Sequence, residues 1–146
     1  SAQHVLRKHP VKGCFCFMQR ISVFITSSPE SLTACLDAVA FCRAAVNKGQ
    51  SIDQIFFYQA GVYHANGLID ASANEVDLTK AWQSLATEHA IPLLVCVGAA
   101  SKRGIVDAEQ AEQAGLTQHN LFEPFKQVGL GEFFTLLHNS SKLVQF

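Results

Sequence analysis

Charge is scarce in this chain and almost balanced: 16% of its 146 residues are charged, and the formal net charge is −1. That balance offers no positive field to a phosphate backbone, which argues against tight, direct nucleic-acid binding. Hydrophobic residues, at 49%, are too many for a disordered chain, yet no run of them is long enough for a secretory signal or a membrane span. Nucleotide-binding glycine patterns are missing as well. Neither GxGxxG nor GxxxxGK[ST] occurs, so the usual phosphate cradle is lost and no cofactor is expected. The five cysteines (14, 16, 35, 42 and 96) form no CxxC pair and no Cys/His cluster at zinc spacing, so no metal site is expected. Their odd number argues against a disulfide scaffold and fits thiols kept reduced in a cytoplasm.

What is present fits one domain with a sizeable core. Residues 1–17 (SAQHVLRKHPVKGCFCF) hold Arg7, Lys8 and Lys12 and no acid, which leaves eight basic against twelve acidic residues in the remainder. Met18, the only methionine, comes just before a regular strand pattern and reads as the natural start. Residues 1–17 are then a flexible, expression-derived or upstream extension, and residues 18–146 the domain. The alternative for a basic, acid-free stretch is a mitochondrial-type presequence, against which stand Pro10, Gly13 and the near absence of serine.

Residues 21–26 (ISVFIT) are β-branched and apolar on both faces, the pattern of a strand buried in a parallel sheet. Ser28 offers a helix N-cap with Pro29 at the first helical position. Leu32, Cys35, Leu36, Val39, Cys42 and Val46 then recur at helical spacing up to Lys48, with Gly49 as the stop. A second strand is expected over 52–58, then a long turn-rich loop, and a helix capped by Asp77 with its apolar stripe on Leu78, Ala81, Trp82 and Leu85. Pro92 precedes a third strand over 93–97, and a small-residue turn follows at 98–104. Asp107 with Gln110 forms a capping box for a short helix ending at Gly115. Further short helices are expected over 121–128 and 130–137, and a last strand over 143–146. Strands alternating with helices imply right-handed crossovers and a three-layer αβα sandwich around a mainly parallel sheet, an α/β fold of flavodoxin-like architecture.

In such sheets ligands sit beyond the carboxyl ends of the strands. Residues 26–29, 58–66 and 96–104 meet that description. Cys96 closes the third strand beside small residues whose backbone N–H groups can face a thiolate or a sulfur adduct, with Lys102 and Arg103 just beyond. The plain alternative is that a cysteine inside LLVCV is a small buried hydrophobe. Cys35 and Cys42 share the apolar stripe of the first helix and read as packing. His64 is either an acid or base of the site or a solvated loop histidine, and the latter fits better. Tyr58, Tyr63 and Asn66 are positioned to line the site, and Asp70, Asp77 and Asp107 suit turns and caps.

The segments FFYQAGVYHAN (56–66), DLTKAW (77–82), CVGAASKRGIVD (96–107), GLG (129–131) and the terminal LVQF carry a further signal. Together they resemble the DsrE/TusD family of sulfur-relay proteins, leaning to its TusD branch, over nearly all of residues 18–146. The most specific part is the run Cys96, Ala99, Ala100, Arg103, Gly104, followed by Asp107. The resemblance implies a DsrE-like fold and a sulfurtransferase in which Cys96 accepts a sulfane sulfur as a persulfide. Ala99, Ala100, Lys102, Arg103, Gly104, Tyr63 and Asn66 would support it. It further implies a relay toward 2-thiouridine in tRNA, with an upstream sulfur-carrier donor, a downstream acceptor protein and a heterohexamer built with two related small subunits. Residues 26–31 (TSSPES) depart from the family's longer glycine- and tyrosine-containing turn, so the pocket wall near Ser27 and Ser28 does not follow the pattern. Two rivals remain: a DsrE-type subunit of sulfur oxidation with the same cysteine chemistry, and a noncatalytic αβα subunit that only builds an oligomer.

Overall fold

The apolar segments line up as a parallel sheet in the computed structural model, which describes residues 4–7, 18–73 and 75–146. In chain order the strands are β1 (His4–Arg7), β2 (Arg20–Ile25), β3 (Ser51–Phe57), β4 (Leu93–Cys96), β5 (Phe125–Val128) and β6 (Lys142–Gln145). The helices are α1 (Leu32–Asn47), α2 (Leu78–His89), α3 (Val97–Ser101), α4 (Ala108–Gln113) and α5 (Leu130–Asn139). Across the sheet the order is β1-β6-β2-β3-β4-β5. The five strands from β6 to β5 run parallel, and β1 joins the outer edge of β6 antiparallel. This is the α/β sandwich expected from the alternation of strands and helices. Of the extension read at residues 1–17, residues 1–3 and 8–17 lie outside the described residues. Among the described residues, no helix is long and apolar enough to cross a membrane.

The period-two alternation of the strands decides what each face meets. Phe57 packs edge-on against Trp82 of α2, so its side of the sheet lies under that helix, and α1 packs alongside α2. Ser22, Phe24, Gln54 and Phe56 point the other way. Phe24 and Phe56 meet the Phe133 ring of α5 at centroid distances of 5.2 and 4.7 Å, and Gln54 Nε2 donates to the Phe133 carbonyl and to Ser22 Oγ. Two helical layers thus cover the two apolar faces. Each fully buried side chain, such as Ile21, Ile55, Leu85 or Leu93, contributes roughly 1.5–3 kcal/mol of hydrophobic stabilisation before entropy is subtracted.

Three local expectations are corrected. Helix α1 starts one turn later than Ser28 and Pro29 indicated: Ser31 N–H donates to the Ser28 carbonyl at 2.9 Å in a turn, and Ser31 is the N-cap. Residues 121–128 are not a helix but a turn followed by β5. Pro124 has no N–H and cannot sit in a helix interior, while Phe125 and Val128 are buried in register with Leu93 and Cys96 of β4. The small-residue stretch after the third strand is helical. Cys96 ends β4 and caps α3, and the left-handed residue is Gly104, at φ +71°.

Candidate functional site

Three chain segments converge at the carboxyl end of the sheet. One is the turn after β2. A second is the 3-10 turn Gln59–Ala65, folded back over β3, and the third is α3. The 3-10 turn comes this close because Gly61 has no side chain: a Cβ there would lie 2.1 Å from the Ile25 carbonyl oxygen. It packs against both β4 and α3, which places the wall carrying Tyr63 and Asn66 beside the segment that starts at Cys96.

Cys96 is the N-cap residue of α3, with extended backbone (φ −61°, ψ 117°), and its thiol makes no capping hydrogen bond. The residue is 6% exposed. Its strand neighbour in β5 is Val128, and next to this pair a cleft of about 250 Å³ opens between Val97, Asp107, Gln110, Gln127 and Gly129. A larger cleft of about 690 Å³, between residues 107–109 and 119–126, contains none of the site residues expected from the sequence.

The other expected residues divide in two. Ala99 and Ala100 are buried and seat α3 on the sheet. Arg103 is half-buried, and its Nη1 donates to the Ala99 carbonyl at 3.1 Å, fastening the end of α3. Lys102 is exposed. Among the described residues, no hydrogen bond or ion pair joins either cation to Cys96. Arg103→Ala should therefore lower stability by about 1 kcal/mol, the value of one such bond, read as a shift in the urea midpoint at unchanged slope. Tyr63 is exposed, and Asn66 Oδ1 accepts from Leu68 N–H at 3.0 Å and from Asn120 Nδ2 at 3.3 Å. Sequence reasoning missed Asn120 and Gln127, whose side chains bond the strand-like segment 104–107. A polar residue ahead of an apolar run gives no signal that it reaches back across the fold.

His64 is not the solvated histidine that its loop position implied. It is fully buried. Trp82 Nε1, which can only donate, reaches His64 Nδ1 at 3.1 Å, so the ring proton sits on Nε2 and is given to the Ser27 carbonyl at 3.0 Å. Cys35 Sγ lies 3.3 Å from that same Nε2, and its own S–H reaches the Ser28 carbonyl at 3.2 Å. A nitrogen that already carries the proton is no base for the thiol. Desolvation holds His64 down at about pKa 4, against a smaller upward pull from its bond to Ser27, and pushes Cys35 up to about 11. The pair is therefore a neutral structural contact. Cys42 is buried and pushed up to about 12 by the same cause, which removes it too from nucleophilic chemistry at neutral pH. Among the described residues there is no group of His, Cys, Asp and Glu able to hold a metal ion.

A family model described as "DsrE/DsrF-like family" matches residues 19–146. A sulfurtransferase TusD homolog from Aliivibrio fischeri is 47% identical over 109 residues, covering 75% of this chain and 84% of that protein. Sulfurtransferase TusD from Proteus mirabilis is 43% identical over the same length and shares. Sulfurtransferase TusD from Salmonella newport is 36% identical over 127 residues, covering 87% of this chain and 99% of that one. Among solved structures, the ychN protein of E. coli superposes with a TM-score of 0.63 at 18% identity, over 88% of this chain and 100% of that one, a likeness of fold.

Proposed function

Since the chain belongs to the DsrE/DsrF-like family and is a sulfurtransferase, we propose that Cys96 is the thiol that carries the sulfur. The observation that carries this reading is the contrast among the three described cysteines. Cys35 and Cys42 are held as neutral thiols by burial, whereas Cys96 stands at the end of a strand, at the mouth of the sheet, with its sulfur free of any capping bond. A helix start presents backbone N–H groups rather than carbonyls, which favours a sulfur anion at such a position.

The chemistry is thiol exchange with no net redox change. The Cys96 thiolate attacks the outer sulfur of a donor persulfide, R–S–SH. A bond forms between Sγ and that sulfur, the donor's S–S bond breaks, and the donor leaves as its thiolate. An acceptor thiolate then attacks the outer sulfur of the Cys96 persulfide and releases Cys96 as the thiolate. Ala99 and Ala100 seat α3 closely on the sheet, Gly104 turns the chain, and Tyr63 and Asn66 form the facing wall. Lys102 and Arg103 supply positive charge near the incoming sulfur. We further propose that the relay runs from a sulfur-carrier protein to an acceptor protein and on to tRNA 2-thiolation, in an assembly with two related small subunits, as the family resemblance of the motifs implies. On this reading residues 18–146 are the working domain, and it operates in the cytoplasm.

Intact-mass measurement after incubation with a persulfide-generating desulfurase and a sulfur carrier tests the proposal. One added sulfur atom, mapped to the Cys96 peptide and removable by a thiol, is the expected result. Sulfur mapped to Cys35 or Cys42, or none at all, refutes it.

A further inference from the structure

We infer that Asn120 is a positioning residue for sulfur transfer, a node that holds the two walls beside Cys96 in register; this rests on the sulfur-transfer reading of Cys96. The segment that leaves α3 carries no secondary structure of its own over residues 105–107, yet its backbone groups are bonded one after another by side-chain amides. Asn120 Nδ2 donates to the Gly104 carbonyl at 3.0 Å, and Asn120 Oδ1 accepts from Val106 N–H at 2.9 Å. Gln127 takes the alternate residues: its Nε2 donates to the Ile105 carbonyl at 3.2 Å, and its Oε1 accepts from Asp107 N–H at 3.2 Å. The two amides grip opposite edges of one extended segment, as neighbouring strands would.

Asn120 does what Gln127 does not. Its Nδ2 also reaches Asn66 Oδ1 at 3.3 Å, and its backbone carbonyl accepts from Gly67 N–H at 2.7 Å. It therefore ties the exit of the 3-10 turn, which carries Tyr63, to the segment that anchors the far end of α3, whose near end is Cys96. Because α3 is only five residues long, its orientation is set by what holds its ends. The orientation of the Asn120 amide is fixed by its partners, since a carbonyl accepts and an N–H donates. Asn120→Asp keeps the size and the acceptor for Val106 N–H but loses both donations, and it sets oxygen against oxygen at Gly104 and Asn66. Attack on a persulfide demands close alignment of three sulfur atoms, so a small displacement of this wall acts on the chemical step.

The test is the kinetics of sulfur loading on Cys96 from a persulfide-bearing carrier protein, read by intact mass well below the melting temperature of every variant. Asn120→Asp is expected to lower kcat by about ten- to hundredfold with the KM for the carrier little changed. Asn66→Ala, which removes the side-chain end of the bridge together with the Leu68 N–H contact and leaves the Gly67 N–H bond to the Asn120 carbonyl in place, should lower kcat in the same sense, and the double variant should be no worse than Asn120→Asp alone. Loading within twofold of the native protein in either single variant overturns the inference. So does a defect confined to KM, or strictly additive effects in the double variant. Failure of the underlying reading looks different, because the native protein itself then takes no sulfur on Cys96.

Discussion

Cys96→Ser takes up no sulfur from a persulfide donor, while its melting temperature stays close to that of the native protein. The hydroxyl has no low-lying anion at neutral pH and forms no persulfide, so no residual pathway through this position exists. Substitution should be mild for the fold, because the Cys96 thiol makes no capping hydrogen bond and a serine at an N-cap accepts from the first turn as well as or better than cysteine. Nor can the other described thiols take over. Cys42 is fully buried, and Cys35 is 1% exposed with its S–H committed to the Ser28 carbonyl. The measurement is the mass of each protein after loading, with thermal unfolding as the control. Undiminished loading of Cys96→Ser would defeat the assignment, and so would loss of loading accompanied by collapse of the fold.

How much of this was legible beforehand follows from which interactions are local. Strands β2, β3, β4 and β6 were readable within a residue or so, because apolar runs and β-branched residues report burial directly. The caps at Asp77 and Asp107 were readable for the same reason: the bonds from Lys80 N–H and Gln110 N–H span three residues. Strand β5 was not, since Leu121, Phe122, Phe125 and Val128 satisfy helical spacing, and only Pro124 argues otherwise. The place of Cys96 at the end of a strand was readable from the apolar run that it closes. The surroundings of His64 were hidden because Ser27, Cys35 and Trp82 come to it from three separate elements, 37, 29 and 18 positions away. Asn120 was hidden likewise, reaching Asn66 across 54 positions. Chemistry carried by one motif is visible in a sequence, whereas chemistry assembled by packing is not.

That buried histidine gives the protein a characteristic loss of stability in mild acid. In the folded protein His64 titrates at about 4, and in the unfolded chain at its ordinary 6.5, so between these values the unfolded state binds the proton and the folded state does not. Stability from this group is whole above pH 6.5 and is lost as pH falls toward 4, by about 3 kcal/mol in all at 1.36 kcal/mol per unit. Protonating Nδ1 also removes the acceptor that Trp82 Nε1 uses. Since Trp82 is the only tryptophan, its emission reports on this contact directly. Urea unfolding followed by Trp82 fluorescence should show the free energy falling steeply between pH 6.5 and 4. In His64→Asn the amide replaces the ring without a titrating proton. The variant should be weaker than the native protein at pH 7 by about 1–3 kcal/mol, the penalty for leaving buried partners poorly bonded, and should lose most of that pH dependence. A native and a variant protein with the same slope across this range would place the acid sensitivity elsewhere and contradict a neutral His64 at the junction of the β2 turn, the 3-10 turn and α2.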